Sequence, residues 1–205
     1  GLSLFGEKRT GRRYIAYYQA YTNTYGDISY LEQIYREALE HPDIIGISIA
    51  TRPDCLGPDI LSLLNCLRLE YAPKFIWIEL GLQTCHDETA RHFGRGYPTS
   101  VFEQAMDALA TIQIPVVIHV ILGLPGEIPK MMYETIRYVN RFNPFGIKLQ
   151  LLHILRDTGL ATEYGIENPR DVCGDFYPVD GRKPLLHLFS LDEYLSVLIH
   201  CLELL

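Results

Sequence analysis

Glu79 and His119 are the residues of this chain best suited to acid–base chemistry, since each interrupts an apolar run, Phe75–Leu80 and Val116–Leu122 respectively. A carboxylate and an imidazole within hydrogen-bond reach are enough to hold and move a proton. His153 ends a third such run, so a hydrolase or lyase built on Glu79, His119 and His153 is one reading. No H-x-H or H-E-x-x-H accompanies the two histidines, which leaves a mononuclear metal site weakly supported. Nucleophilic catalysis has less support. There is no G-x-S-x-G, and Cys85-His86 are adjacent in sequence, which does not place thiol and imidazole in triad geometry. Arg52 with Asp54, Gln19 with Thr22-Asn23-Thr24, Gln83, and Gly123-Leu124-Pro125-Gly126-Glu127 complete the set of candidates. Each has a plainer reading: satisfied core groups for Glu79 and His119, a local ion pair for Arg52 and Asp54, and turns for the Gly-Pro and Asn-Thr segments.

The elements that must position these groups alternate along the chain. Tyr14–Tyr21 is aromatic and β-prone, and Asp27 is placed to cap a helix with apolar positions Leu31, Ile34, Tyr35 and Ala38, stopped at His41-Pro42. Ile44–Ala50 reads as a strand covered on both faces, and a helix spans about Pro58 to Leu69. Strand Phe75–Leu80, helices Asp87–Phe93 and Ser100–Ile112, strand Val116–Leu122, helix Pro129–Arg141 and strand Gly146–Leu152 follow. Parallel strands need crossovers of a dozen residues or so, which these helices supply. An open doubly wound sheet and a closed or partial barrel both satisfy that pattern. The barrel is favoured because the polar residues fall at one end of five successive strands, the carboxyl end where parallel α/β folds hold ligands. Residues 156–189 lack periodicity and read as irregular, and Ser190 is a plausible N-cap for a terminal helix over 190–205. Neither end carries a stop signal, so a single domain over 1–205, cut from a longer chain, is expected.

The bulk numbers bound the function. A chain of 205 residues with 48% hydrophobic and 21% charged residues is an ordinary globular sequence. Its net charge of −7 offers no global basic field for nucleic-acid phosphates. No apolar run approaches the roughly 20 residues of a membrane span, and Gly1-Leu2-Ser3-Leu4-Phe5-Gly6 lacks the basic and apolar regions of a signal peptide. The five cysteines (Cys55, Cys66, Cys85, Cys173 and Cys201) are scattered, with no C-x-x-C, and are expected to be reduced thiols of a cytoplasmic protein.

At these residues the sequence resembles the radical S-adenosylmethionine (SAM) superfamily, in its elongator-catalytic-subunit-like branch and an uncharacterised bacterial oxidoreductase family within it. The matching words are Tyr18-Gln19-Ala20-Tyr21-Thr22-Asn23-Thr24, Thr51-Arg52-Pro53-Asp54, Glu79-Leu80-Gly81-Leu82-Gln83-Thr84, Arg95-Gly96 and His119–Glu127, joined by Gly146-Ile147-Lys148-Leu149 and Leu152-His153. The resemblance implies an α/β fold, a partial (β/α)6 TIM-like barrel, here without its first βα unit. It implies a [4Fe–4S] cluster that reductively cleaves SAM to a 5′-deoxyadenosyl radical, with electrons from a donor such as a flavodoxin or ferredoxin. Gln19 and Thr22 then fall in the segment that bonds the methionine amino group, and Gln83 and Arg95 at positions that hold the methionine carboxylate. Arg52, Glu79 and His119 join the cofactor-binding set, with Gly123 and Gly126 on the adenosine side and His153 near adenine or substrate. The planar guanidinium of Arg95 suits a carboxylate, and glycines allow close passage of the backbone against a ring.

The sequence departs from the family in one large respect. The C-x3-C-x2-C cluster motif is absent, and no three of the cysteines have that spacing. The cluster ligands are therefore expected upstream of this chain, which alone would be inert; a scaffold barrel that has lost the cluster is the alternative. A family histidine after Lys148-Leu149 is Gln150 here. The elongator-like branch suggests RNA as a substrate class, which the acidic balance does not support.

Overall fold

The computed structural model describes residues 13–167, 174–177 and 183–205; Cys173 and parts of the irregular region lie outside them. In chain order the elements are β1 (Tyr14–Tyr18), α1 (Ile28–Glu40), β2 (Ile44–Thr51), α2 (Pro58–Glu70), β3 (Phe75–Gln83), α3 (Asp87–His92) and α4 (Thr99–Thr111). Then come β4 (Val116–Leu122), α5 (Pro129–Asn140), β5 (Gly146–Leu151), α6 (Gly159–Tyr164), β6 (Phe176–Tyr177), β7 (Leu186–His187) and α7 (Leu191–Glu203).

Strands β1 to β5 form one parallel sheet in sequential order. A doubly wound sheet requires a reversal of strand order, and there is none, so the sheet curls in one direction into a half-barrel. The helices lie on its convex side. There Ile47, Ile49, Ile76, Ile78, Leu80, Leu82, Ile118, Val120 and Leu122 are buried against Tyr35, Leu64, Leu67, Phe102, Leu109, Ile136 and Val139. The concave side is less covered: β4 alternates buried and half-buried residues along its whole length. The expected strand over Ile44–Ala50 is covered on both faces: Ile47 and Ile49 are core, while Gly46 and Ser48 are buried on the opposite face, Gly46 closely packed against Phe75.

Local signals fix the joints. Asp27 accepts a hydrogen bond from Tyr30 N at 3.0 Å and caps α1, and Ser190 with Glu193 forms a reciprocal capping box on α7. Strand β1 stops at Tyr18, earlier than its aromatic run suggests, because Ala20 and Tyr21 adopt left-handed conformations with φ of 68° and 63°. Strand β3 runs three residues beyond Leu80. The irregular region contains the short helix α6 and the antiparallel pair β6–β7, around a small second core of Ile154, Ala161, Tyr164, Ile166, Leu186 and Leu188. These pieces are too short for hydrophobic periodicity to reveal them.

Candidate functional site

Each of the five parallel strands sends one polar side chain to the same level inside the half-barrel. Glu79 of β3 is the centre. Its Oε2 accepts hydrogen bonds from Tyr17 Oη of β1 at 2.7 Å and from His119 Nε2 of β4 at 2.7 Å, and its Oε1 accepts from Ser48 Oγ of β2 at 2.8 Å. Lys148 Nζ of β5 stands 3.8 Å from Oε2 and 5.9 Å from the centre of the Tyr17 ring. Tyr17 pairs with Ser48 and His119 with Lys148, while Glu79 lies opposite Ala50 and Val117 and reaches Ser48 and His119 diagonally across the shared face. Bulky aliphatic residues ordinarily fill such a layer in an α/β barrel. Here it is polar.

The network sets the charges. Burial pushes the Glu79 carboxyl up, but the hydrogen bonds from Tyr17, Ser48 and His119 outweigh it and hold the group below the usual carboxylate range. Burial depresses the His119 imidazole, Glu79 raises it in part, and the Lys148 charge lowers it again, so it ends below its ordinary 6.5. Burial together with the bond to Glu79 lifts the Tyr17 phenol to about 12. The layer at neutral pH is an ionised Glu79, a neutral His119 and a Lys148 ammonium.

Above this layer lies the rim formed by the strand ends. Gln83 has φ of 63°, and its amide folds back over Gly81, where a Cβ would stand 2.5 Å from Gln83 Nε2. Neither amide atom bonds a described residue. Arg52 grips Asp54 with two hydrogen bonds of 2.9 and 2.6 Å and lies 5.5 Å from the centre of the Tyr97 ring, leaving Nη1 unused. The local ion pair is thus real, and it still leaves a half-exposed guanidinium at the rim. Gln19 is exposed and Thr22 half-buried on the β1–α1 turn. Asn23 anchors that turn through its backbone N and its Nδ2, each 3.0 Å from Ala50 O.

Arg95 is placed otherwise. It is buried, and its five N–H groups go to Tyr97 O (3.2 Å), Leu82 O (2.9 Å), Thr84 O (2.7 Å), Asp87 Oδ1 (2.6 Å) and Thr99 Oγ1 (2.9 Å). It ties the end of β3 to the start of α4 and turns no N–H to the lumen. Gly123 and Gly126 have φ of 86° and 82°, which L side chains resist. Their Cβ sides face Phe189 at 3.5 Å and Pro184 at 3.1 Å, so the chain's own C-terminal segment covers them. Glu127 is buried, with its carboxylate accepting from Thr84 Oγ1 at 2.5 Å, and burial raises its pKa. His153 is exposed and makes no hydrogen bond or ion pair with a described residue. Of the trio Glu79, His119 and His153, two are joined.

Sequence reasoning singled out Glu79 and His119 but passed over Tyr17, Ser48 and Lys148, which complete their layer. The signal was parity: along each strand the residues one position off the apolar core residues, Tyr17, Ser48, Glu79, His119 and Lys148 among them, face inward. The cysteines do not converge. Cys55 follows β2, Cys66 is exposed on α2, Cys85 follows β3, and Cys201 is buried on α7. Among the described residues no group of three His, Cys, Asp or Glu side chains is arranged to hold a metal ion, so these residues do not fit a [4Fe–4S] cluster.

Comparison with known proteins places this geometry. The chain is 35% identical over 198 residues to the uncharacterized protein YtqA of Bacillus subtilis (strain 168), covering 97% of this chain and 55% of that one. The chain spans about half the length of the curated relatives it matches. Two solved structures share its fold at low identity. The archaeal Methanocaldococcus infernus Elp3 with an N-terminal deletion has a TM-score of 0.67 at 16% identity over 80% of this chain and 43% of that one. The radical S-adenosylmethionine methyltransferase TsrM of Kitasatospora setae, with cobalamin and a [4Fe–4S] cluster bound, has a TM-score of 0.63 at 12% identity over 93% and 43%. A family model described as Radical SAM superfamily matches residues 3–139, and the chain belongs to that superfamily.

Proposed function

We propose that these residues are the SAM-binding core of a radical enzyme, with the amino-acid end of SAM held at the rim and the substrate admitted to the lumen below it. The supporting observation is the set of unused polar groups that the strand ends bring together: the Gln83 amide, Arg52 Nη1, the Thr22 hydroxyl and the exposed Gln19. A zwitterionic amino acid needs cationic or N–H donors for its carboxylate and oxygen acceptors for its ammonium, and this set offers both. Arg52 and Gln83 hold the carboxylate; Gln19, Thr22 and backbone carbonyls of the Ala20–Tyr21 turn hold the ammonium. Gln150, exposed on β5, and His153, exposed just beyond it, flank the nucleoside. Arg95, its donors already committed, supports Gln83 by fixing the end of β3, and Gly123 and Gly126 shape the adjoining turn. Bound SAM supplies one-electron, hydrogen-abstracting chemistry once it is reduced. No step is assigned to a cluster on the cysteines described here; the whole protein's cluster, its electron donor and its substrate, RNA included, belong to the proposal for the longer relatives.

The reading is tested by SAM affinity in the full-length protein. Gln83→Ala and Arg52→Ala should each weaken binding about tenfold, the loss of one good hydrogen bond to a charged group, with an unchanged unfolding midpoint. Wild-type affinity in both variants would refute this placement of the cofactor.

A further inference from the structure

We propose that His119 is a general base that takes a proton from a substrate group entering the half-barrel, with Glu79 fixing its tautomer and the Lys148 ammonium stabilising the anion left behind. The case starts from the hydrogen-bond inventory. An ionised carboxylate only accepts, so the 2.7 Å contact between His119 Nε2 and Glu79 Oε2 requires the proton on Nε2. Neutral His119 therefore carries its lone pair on Nδ1. That nitrogen has no partner among the described residues. Among the described residues the buried side-chain nitrogens without a hydrogen bond are Arg68 Nε, Trp77 Nε1, His92 Nε2 and His187 Nε2, and Nδ1 of His119 is not one of them, so solvent reaches it. The layer leaves the basic nitrogen open and orients it through a carboxylate, the arrangement by which a general base is held ready.

The imidazole bonds Glu79 of β3, which in turn gathers Tyr17 from β1, Ser48 from β2 and the Lys148 ammonium from β5. Lys148 is the cross-strand partner of His119, its side chain is 43% exposed, and among the described residues only Glu79 approaches it as a counter-ion. The ligand class follows: a weakly acidic hydroxyl, thiol or carbonyl-activated C–H whose conjugate base is an anion. The proton passes from X–H to Nδ1, and the bonding pair stays on X. The resulting imidazolium lies against Glu79, and the new anion against Lys148, so the two charges created are both met. Burial and Lys148 keep His119 neutral at pH 7, which preserves the lone pair. The inference rests on this layer alone and needs no SAM at the rim.

The test uses the full 205-residue chain with nitrogen-15-labelled histidine. Long-range proton–nitrogen spectra should show His119 as the Nε2–H tautomer, titrating below 6.5. Lys148→Met should shift that titration upward and Glu79→Gln downward, the signs set by the charge each neighbour carries. Diethyl pyrocarbonate acylates an accessible unprotonated imidazole nitrogen, forming an N–C bond and releasing ethanol and carbon dioxide. Peptide mass spectrometry should find His119 acylated in the folded chain, and spectra of the product should place the group on Nδ1. An Nδ1–H tautomer, or a folded chain in which His119 resists the reagent, would overturn the proposal. If Glu79→Gln does not fold, the exposed Lys148→Met variant carries the comparison.

Discussion

Glu79 receives hydrogen bonds from three side chains and an ammonium at 3.8 Å, and that crowding decides what its loss costs. Glu79→Ala strands Tyr17, Ser48 and His119 around a vacant site and should destabilise the fold by about 3 kcal/mol, read from urea unfolding midpoints. The pH dependence has a definite sign. The folded pKa of Glu79 is depressed below 4.5, so its contribution is complete above that value and disappears as pH falls through the folded pKa. The folded pKa of His119 also lies below its ordinary 6.5, so the unfolded chain binds its proton first. Stability therefore declines as pH drops from 6.5 toward that folded pKa, and His119→Gln should flatten this segment of the curve while leaving the Glu79 segment in place. At this scale the sequence was half legible. A charged residue inside an apolar run stands out, whereas Tyr17 and Ser48 look like ordinary strand residues until register brings them to Glu79.

At the scale of elements, the turns after the strands carry the rim, and two glycines and one arginine hold it. Gly123→Ala forces a side chain to φ of 86° and should cost about 1–2 kcal/mol in thermal or urea unfolding. Arg95→Lys keeps the charge but removes the planar fork that reaches Leu82 O, Thr84 O, Asp87 and Thr99 together. It should cost about 2–4 kcal/mol and loosen the end of β3, which faster amide exchange around Leu82–Thr84 would report. The five parallel strands and their helices were legible because each is a sustained apolar or amphipathic run. The left-handed turns at Ala20, Tyr21 and Gln83 were not, since none of these residue types favours positive φ and tertiary contacts impose it. For the same reason Arg95 read from sequence as a ligand-facing residue: nothing in Arg95-Gly96 announces that five backbone and side-chain acceptors wait for it.

For the whole molecule, sequential strand order makes a half-barrel with a polar layer on its concave side and unused polar groups at its rim. The interior layer and the rim divide the work in this account, the rim binding SAM and the layer below handling a substrate proton. No helix among the described residues is long and apolar enough to cross a membrane. The cysteines described here form no metal site, and no step of the proposal is assigned to them. The most direct measurement is made on the full-length protein, reconstituted anaerobically with iron and sulfide and given dithionite and SAM. The account predicts 5′-deoxyadenosine, in amounts that fall with Gln83→Ala and Arg52→Ala. A well-formed cluster that never cleaves SAM under these conditions would contradict it.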